Sequence, residues 1–186
     1  MNTGQSMLVL GAFAMMSVLS LNLNRMMFSS MLLGLEMEAM TNAISVGQSM
    51  LDEILSKSFD ERTANNEERL YDPSQATPQE LFGPDGSEEE ISGIDTLNLS
   101  KTRFDDVDDY HLYRRQVWDQ RLGWFFVIDS VHYVHEDLPD VRTSSQTFYK
   151  SITVAVWNSQ LPKVSESSSE VQPIVLRDIA VYRRYF

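Results

Sequence analysis

"MLVLGAFAMMSVLSL", Met7–Leu21, contains no charged residue, and the first charge of any kind is Arg25. With the mild residues on either side it makes roughly 24 residues, enough for a helix to cross a hydrocarbon layer. A cleaved secretory signal is not expected, because "MNTG" carries no Lys or Arg and no small-x-small site follows the run. Apolar character continues past Arg25 through Met26, Met27, Met31, Leu32 and Leu35. It then narrows to a stripe at Met40, Ala43, Ile44, Gly47, Met50, Leu51, Ile54 and Leu55, in the steps of three and four of an amphipathic helix. No proline precedes Pro73. These residues predict one nearly continuous helix over roughly residues 5 to 57, on the order of 80 Å long at 1.5 Å per residue. Asn22 and Asn24 are where it would loosen, since asparagine competes locally for backbone hydrogen bonds.

A helix of that length cannot be sheltered by the rest of a 186-residue chain. Its first half has no polar face, so it requires lipid or other chains around it. All ten methionines fall in the first fifty residues. Their flexible, polarisable side chains suit contacts between copies of one helix.

The net charge of −12 is unevenly placed. Asp52 to Tyr110 holds 17 acidic and five basic residues, and the remainder of the chain is neutral. An acidic middle repels phosphate, so no nucleic-acid partner is expected. The absence of cysteine excludes disulfides, thiolate nucleophiles and sulfur-ligated zinc. From about Phe59 to Ser100, turn formers and charge predict a long irregular excursion with a helical turn near Pro78–Phe82. Three stretches rich in aromatic and β-branched residues then read as strands: Leu122–His135, Thr147–Asn158 and Pro173–Phe186. No helical pattern separates them, which favours an antiparallel meander packed on the amphipathic half of the helix. The expected class is α+β: a long N-terminal helix (1–58), then a head (59–186) made of an acidic loop (59–121) and a C-terminal sheet (122–186).

An apolar helix with an amphipathic second half, a variable loop and a final antiparallel sheet together resemble the type IV pilin superfamily. "ISVGQSMLDEILSKSFDE", Ile44–Glu61, is similar to the helix end of pilin-like proteins from mannose-sensitive haemagglutinin pilus systems and of related minor pilins and pseudopilins. "FDDVDDYH", Phe104–His111, following "FGPDGSEEE", resembles the loop of the same proteins. The resemblance implies a structural subunit of an extracellular filament, polymerising with copies of itself. Its helices would bundle in the filament centre and its sheets would form the surface. It also implies insertion in the inner membrane before assembly and handling by the pilus assembly machinery. The residues placed to make the assembly helix are Gln5, Met7, Leu8, Leu10, Phe13, Met16, Leu19, Leu21, Met27 and Met31. The resemblance leaves two alignments open: Gly4 matches the glycine that ends the family's leader, or Met1 starts the working chain and Gln5 stands where the family carries a glutamate, offering a neutral hydrogen bond in place of a charge-assisted one.

Other candidate sites are weaker. Asp105, Asp106, Asp108 and Asp109 offer oxygen ligands to calcium, which some pseudopilins bind in this region, but without the spacing of an EF-hand. The alternative is a loop fastened by Asx turns and plugged into the sheet by Phe104, Val107 and Tyr110. His132 and His135 alternate to opposite faces of one strand, and no nucleophile triad or phosphate loop is evident, so no enzyme is expected. Trp118, Trp124 and Trp157 are expected in the core and in cross-strand pairs. Arg183 and Arg184 are placed to meet the acidic loop of an adjacent subunit. A membrane-anchored monomeric binding or sensor domain, or a pseudopilin of a secretion system, stands as the competing reading.

Overall fold

The computed structural model describes residues 3–66, 68–85, 88, 91, 93–165 and 168–183. Helix α1 runs unbroken over Thr3–Leu55, within two residues of the expected bounds at each end. It does not loosen at Asn22 or Asn24. No proline or glycine accompanies that pair, and the flanking leucines and methionines are good helix formers. The chain divides into two compact units, Met1–Glu38 and Ala39–Phe186.

In the second unit, the last turns of α1 pack on a four-stranded antiparallel sheet, an α+β fold. The strands are β1 (Arg114–Asp119), β2 (Gly123–Tyr133), β3 (Tyr149–Trp157) and β4 (Ile174–Val181), in spatial order β1-β2-β3-β4. The three expected strands are present, each trimmed at its ends. β1 is not among the expected strands: its sequence, "RRQVWD", reads as polar loop and falls within the acidic excursion of 59–121. Pairing with β2, from Arg114↔Ile128 to Asp119↔Gly123, makes it a strand. The tight turn between them closes on Gly123 at φ +79, where a Cβ would be strained.

Burial alternates along β2 and β3 as expected for a sheet with one covered face. Phe125, Val127, Val131, Tyr133, Ile152, Val154 and Val156 point inward. Against them lie Ala39, Ala43, Gly47, Met50, Leu51 and Ile54 of α1. This is a small-residue version of the expected stripe: Met40, Ile44 and Leu55 are exposed. The reason is the close approach of helix to sheet. A Cβ built on Gly47 would stand 2.6 Å from Leu176 Cδ1 and 3.3 Å from Val156 Cγ2.

The excursion before the sheet is fastened by short 3₁₀ turns at Glu61–Asn66, Pro73–Gln75, Gln79–Leu81 and Asp108–Tyr110, and by a one-turn helix α2 (Ser100–Arg103). At Pro73–Gln75, the Asp72 side chain accepts from Ser74 N while the Gln75 side chain reaches back to the Asp72 N–H, a capping box. The expected plug is in place, since Phe104, Val107 and Tyr110 are all buried.

Candidate functional site

In the first unit, every residue expected to build the assembly helix is solvent-exposed, from Gln5 to Met31. Met7 is 73 % exposed and Leu8 77 %, and apolar side chains occupy all sides of the rod. The Ser17 hydroxyl donates to the Phe13 carbonyl and the Ser29 hydroxyl to the Arg25 carbonyl. Those polar groups are therefore satisfied within the helix and do not oppose entry into an apolar medium. By length and composition the helix can cross a membrane.

The acidic loop of the second unit is a built structure. Asp106 Oδ1 accepts from Asp108 N (2.8 Å) and Asp109 N (3.2 Å). Asp109 Oδ2 accepts from Asp105 N (3.2 Å) and Asp106 N (3.1 Å). Asp108 turns inward to Lys150, whose Nζ lies 2.5 Å from its Oδ1, 3.2 Å from Asp60 Oδ2 and 2.6 Å from the Phe59 carbonyl. Lys150 is fully buried, and its ammonium also sits 4.5 Å from the centre of the Phe59 ring. The four aspartates thus divide. Asp106 and Asp108 are committed to backbone amides and to Lys150. Asp109, although its Oδ2 also accepts from two backbone amides, joins Asp105 and Glu88 in bringing three carboxylate oxygens within 4.8 Å of one another. Among the described residues, that trio is the group able to hold a hard cation, with half the oxygens that calcium takes.

Burial, and then the nearness of other carboxylates, keeps protons on several of these acids. Burial, then the neighbouring Asp108 and Asp109, push Asp106 up to about 10. Burial, then Asp109, push Glu88 up to about 9. Burial, then Asp85, Asp105 and Asp109, push Glu61 up to about 7. A neutral carboxyl beside a carboxylate can donate to it, which stabilises the loop without a metal.

A second buried network ties α1 to β1. Arg115 donates from Nη1 to Glu53 Oε2 (2.8 Å) and from Nη2 to Glu53 Oε1 (2.6 Å), a two-pronged pair. The Ser100 and Tyr110 hydroxyls donate to the same Glu53 Oε1, at 2.7 and 3.0 Å. Tyr113 donates to Asp95 Oδ2 at 2.5 Å. Sequence reasoning missed this network entirely; an arginine in an apparent loop gives no hint of a glutamate 62 positions away.

His111 and His132 pack edge to face, ring centres 5.3 Å apart. Val131 N donates to His111 Nδ1 at 3.2 Å, and the Gln79 side chain meets His132 Nδ1 at 3.2 Å. The tryptophans correct their expected place. All three lie on the face of the sheet away from α1, with Trp118 57 % and Trp124 43 % exposed. Trp118 and Trp124 do form a direct cross-strand pair, ring centres 4.9 Å apart. The inward positions that alternate with them carry Phe125, Val127 and Val156, and among these apolar residues also the buried polar Arg115, Asp129 and Lys150. Arg183 is exposed beyond β4, and Arg184 lies outside the described residues.

A long N-terminal helix, apolar at its start and seated on an antiparallel sheet at its end, is a pilin-like layout. Comparison with family models, with curated proteins and with solved structures found no match for this chain.

Proposed function

We propose that this chain is a structural subunit of a type IV pilus-like filament, polymerising by bundling its N-terminal helix with those of other copies. The observation that carries the reading is the exposed surface of α1 from Met7 to Leu33, which carries apolar side chains on every side and a single charge, Arg25. A membrane anchor needs about 20 apolar residues, and this surface continues well past that length. At roughly 25 cal/mol per Å² of apolar area, removing such a surface from water is a strong drive to associate. The helix waits in the inner membrane before assembly, as its length and composition allow. The sheet then forms the outer surface of the fibre, and the reading assigns no enzymatic role.

The test is electron microscopy of material sheared from cells that produce the chain, with mass spectrometry of the fibres and of their N-terminal peptide. Fibres made of this chain support the reading. Recovery only as a monomer in the membrane fraction overturns it in favour of an anchored binding or sensor domain, the alternative that the membrane-compatible length of α1 favours.

A further inference from the structure

Arg25 is the only charged residue among the first 35, and it is exposed on a helix whose neighbouring side chains are uncharged. Partners on its own helix would have to stand three or four residues away. Those positions are Leu21, Asn22, Phe28 and Ser29, and none is acidic. The first carboxylate of the chain is Glu36. Eleven residues is about 20° more than three full helical turns, so Arg25 and Glu36 lie on one stripe, on the order of 16 Å apart along the axis. That is too far for contact within one helix. Between and below them the stripe holds Leu32, Ser29, Val18, Ala14 and Gly11. Ala14 and Val18 also line a shallow groove with Met15, Leu19 and Asn22.

We propose that Arg25 of one copy pairs with Glu36 of a neighbouring parallel copy, and that this pair sets the axial stagger of the assembled helices at about three turns. The proposal rests on the filament reading and names the register it uses. A second copy is the occupant because it brings the matching carboxylate on the matching stripe, and because an unpaired guanidinium in an apolar bundle is strongly unfavourable. Before assembly the same side chain has another partner. Thr3–Asn24 spans about 33 Å as a helix, so Arg25 emerges at the edge of a hydrocarbon layer, within reach of lipid phosphate. Leaving the membrane exchanges that phosphate for the carboxylate of a neighbour.

The chain has no native cysteine, which permits a direct test in the full-length protein. A chain carrying both Arg25→Cys and Glu36→Cys is expressed, fibres are collected, and an oxidant is added. Disulfides form only where Cα atoms come within about 7 Å. The expected result is a ladder of covalent multimers, absent from Arg25→Cys alone and from Arg25→Cys combined with Leu33→Cys, which lies off the stripe. In parallel, Arg25→Glu and Glu36→Arg each lower fibre yield by about tenfold or more, and the double swap restores it. Fibres that are indifferent to Arg25→Glu, or whose yield the double swap does not restore, overturn the pairing and leave the filament reading standing, and Arg25 then serves lipid phosphate alone; a ladder equally strong with Leu33→Cys in place of Glu36→Cys overturns the register. Absence of fibres from the unaltered chain overturns both.

Discussion

Replacing Lys150 by methionine tests how the acidic loop is held to the sheet. The ammonium is fully buried between Asp108 at 2.5 Å and Asp60 at 3.2 Å, and it also donates to the Phe59 carbonyl. Methionine keeps most of the volume and removes the charge, so the loss is chiefly electrostatic. Breaking a buried pair by deleting one partner costs about 3–5 kcal/mol, because the remaining charge is uncompensated. Here two carboxylates are left, so the upper part of that range applies at neutral pH. Against a domain stability of about 5–15 kcal/mol this is a large fraction. For a unit of this size it corresponds to a fall in Tm on the order of 10 °C. The assay is thermal and urea unfolding of the full chain in detergent, at pH 7.5 and pH 5. Burial already holds the Asp108 pKa above the ordinary carboxylate range, and without Lys150 it rises further. Asp108 then takes up its proton more readily as pH falls, so the penalty is smaller at pH 5 than at pH 7.5. A loss below about 1 kcal/mol at pH 7.5, or a penalty equal at both pH values, refutes the electrostatic account.

Three further outcomes are expected. Burial, then Arg142 and His111, hold His132 down at about 4, and burial also lowers His111. Groups whose folded pKa is depressed stabilise fully above the unfolded value near 6.5, and that contribution is lost as pH falls toward 4; amide protection at Gln79–Phe82, measured against the intrinsic exchange rate at each pH, should fall over this window, and NMR titration of both rings checks it. Asp129 is fully buried with neither carboxylate oxygen hydrogen-bonded, and burial raises its pKa well above the usual range. Its cost therefore grows as pH rises, so Asp129→Asn should stabilise by about 1–2 kcal/mol at pH 8 and by little at pH 4, read as Tm. Gly47→Ile overfills the helix–sheet contact against Leu176 and should cost about 1–3 kcal/mol in urea unfolding; adding Leu176→Ala should recover part of it, as a double-mutant cycle would show.

What was readable in the residues follows periodicity. A run without charge or proline from Met7 to Leu21, continued by steps of three and four, determined α1 and its need for an outside partner. Alternating aromatic and β-branched residues determined β2, β3 and β4, and the spacing of Phe104, Val107 and Tyr110 determined the plug of the loop. These are local signals, because helix and strand periods are written within one segment.

Tertiary structure decided the rest. β1 exists because β2 supplies its hydrogen-bond partners, and its own polar sequence carries no strand period. Glu53 with Arg115, and Lys150 with Asp60 and Asp108, join residues dozens of positions apart. The seat of α1 decides which face of the sheet is covered, and alternation then turns Trp124 and Trp157 away from it, opposite to the buried Phe125 and Val156. Which aspartates turn to Lys150 and which gather near Glu88 is likewise a matter of distance in space. Four carboxylates in five positions look alike in a sequence, and only the placement of one buried ammonium tells them apart.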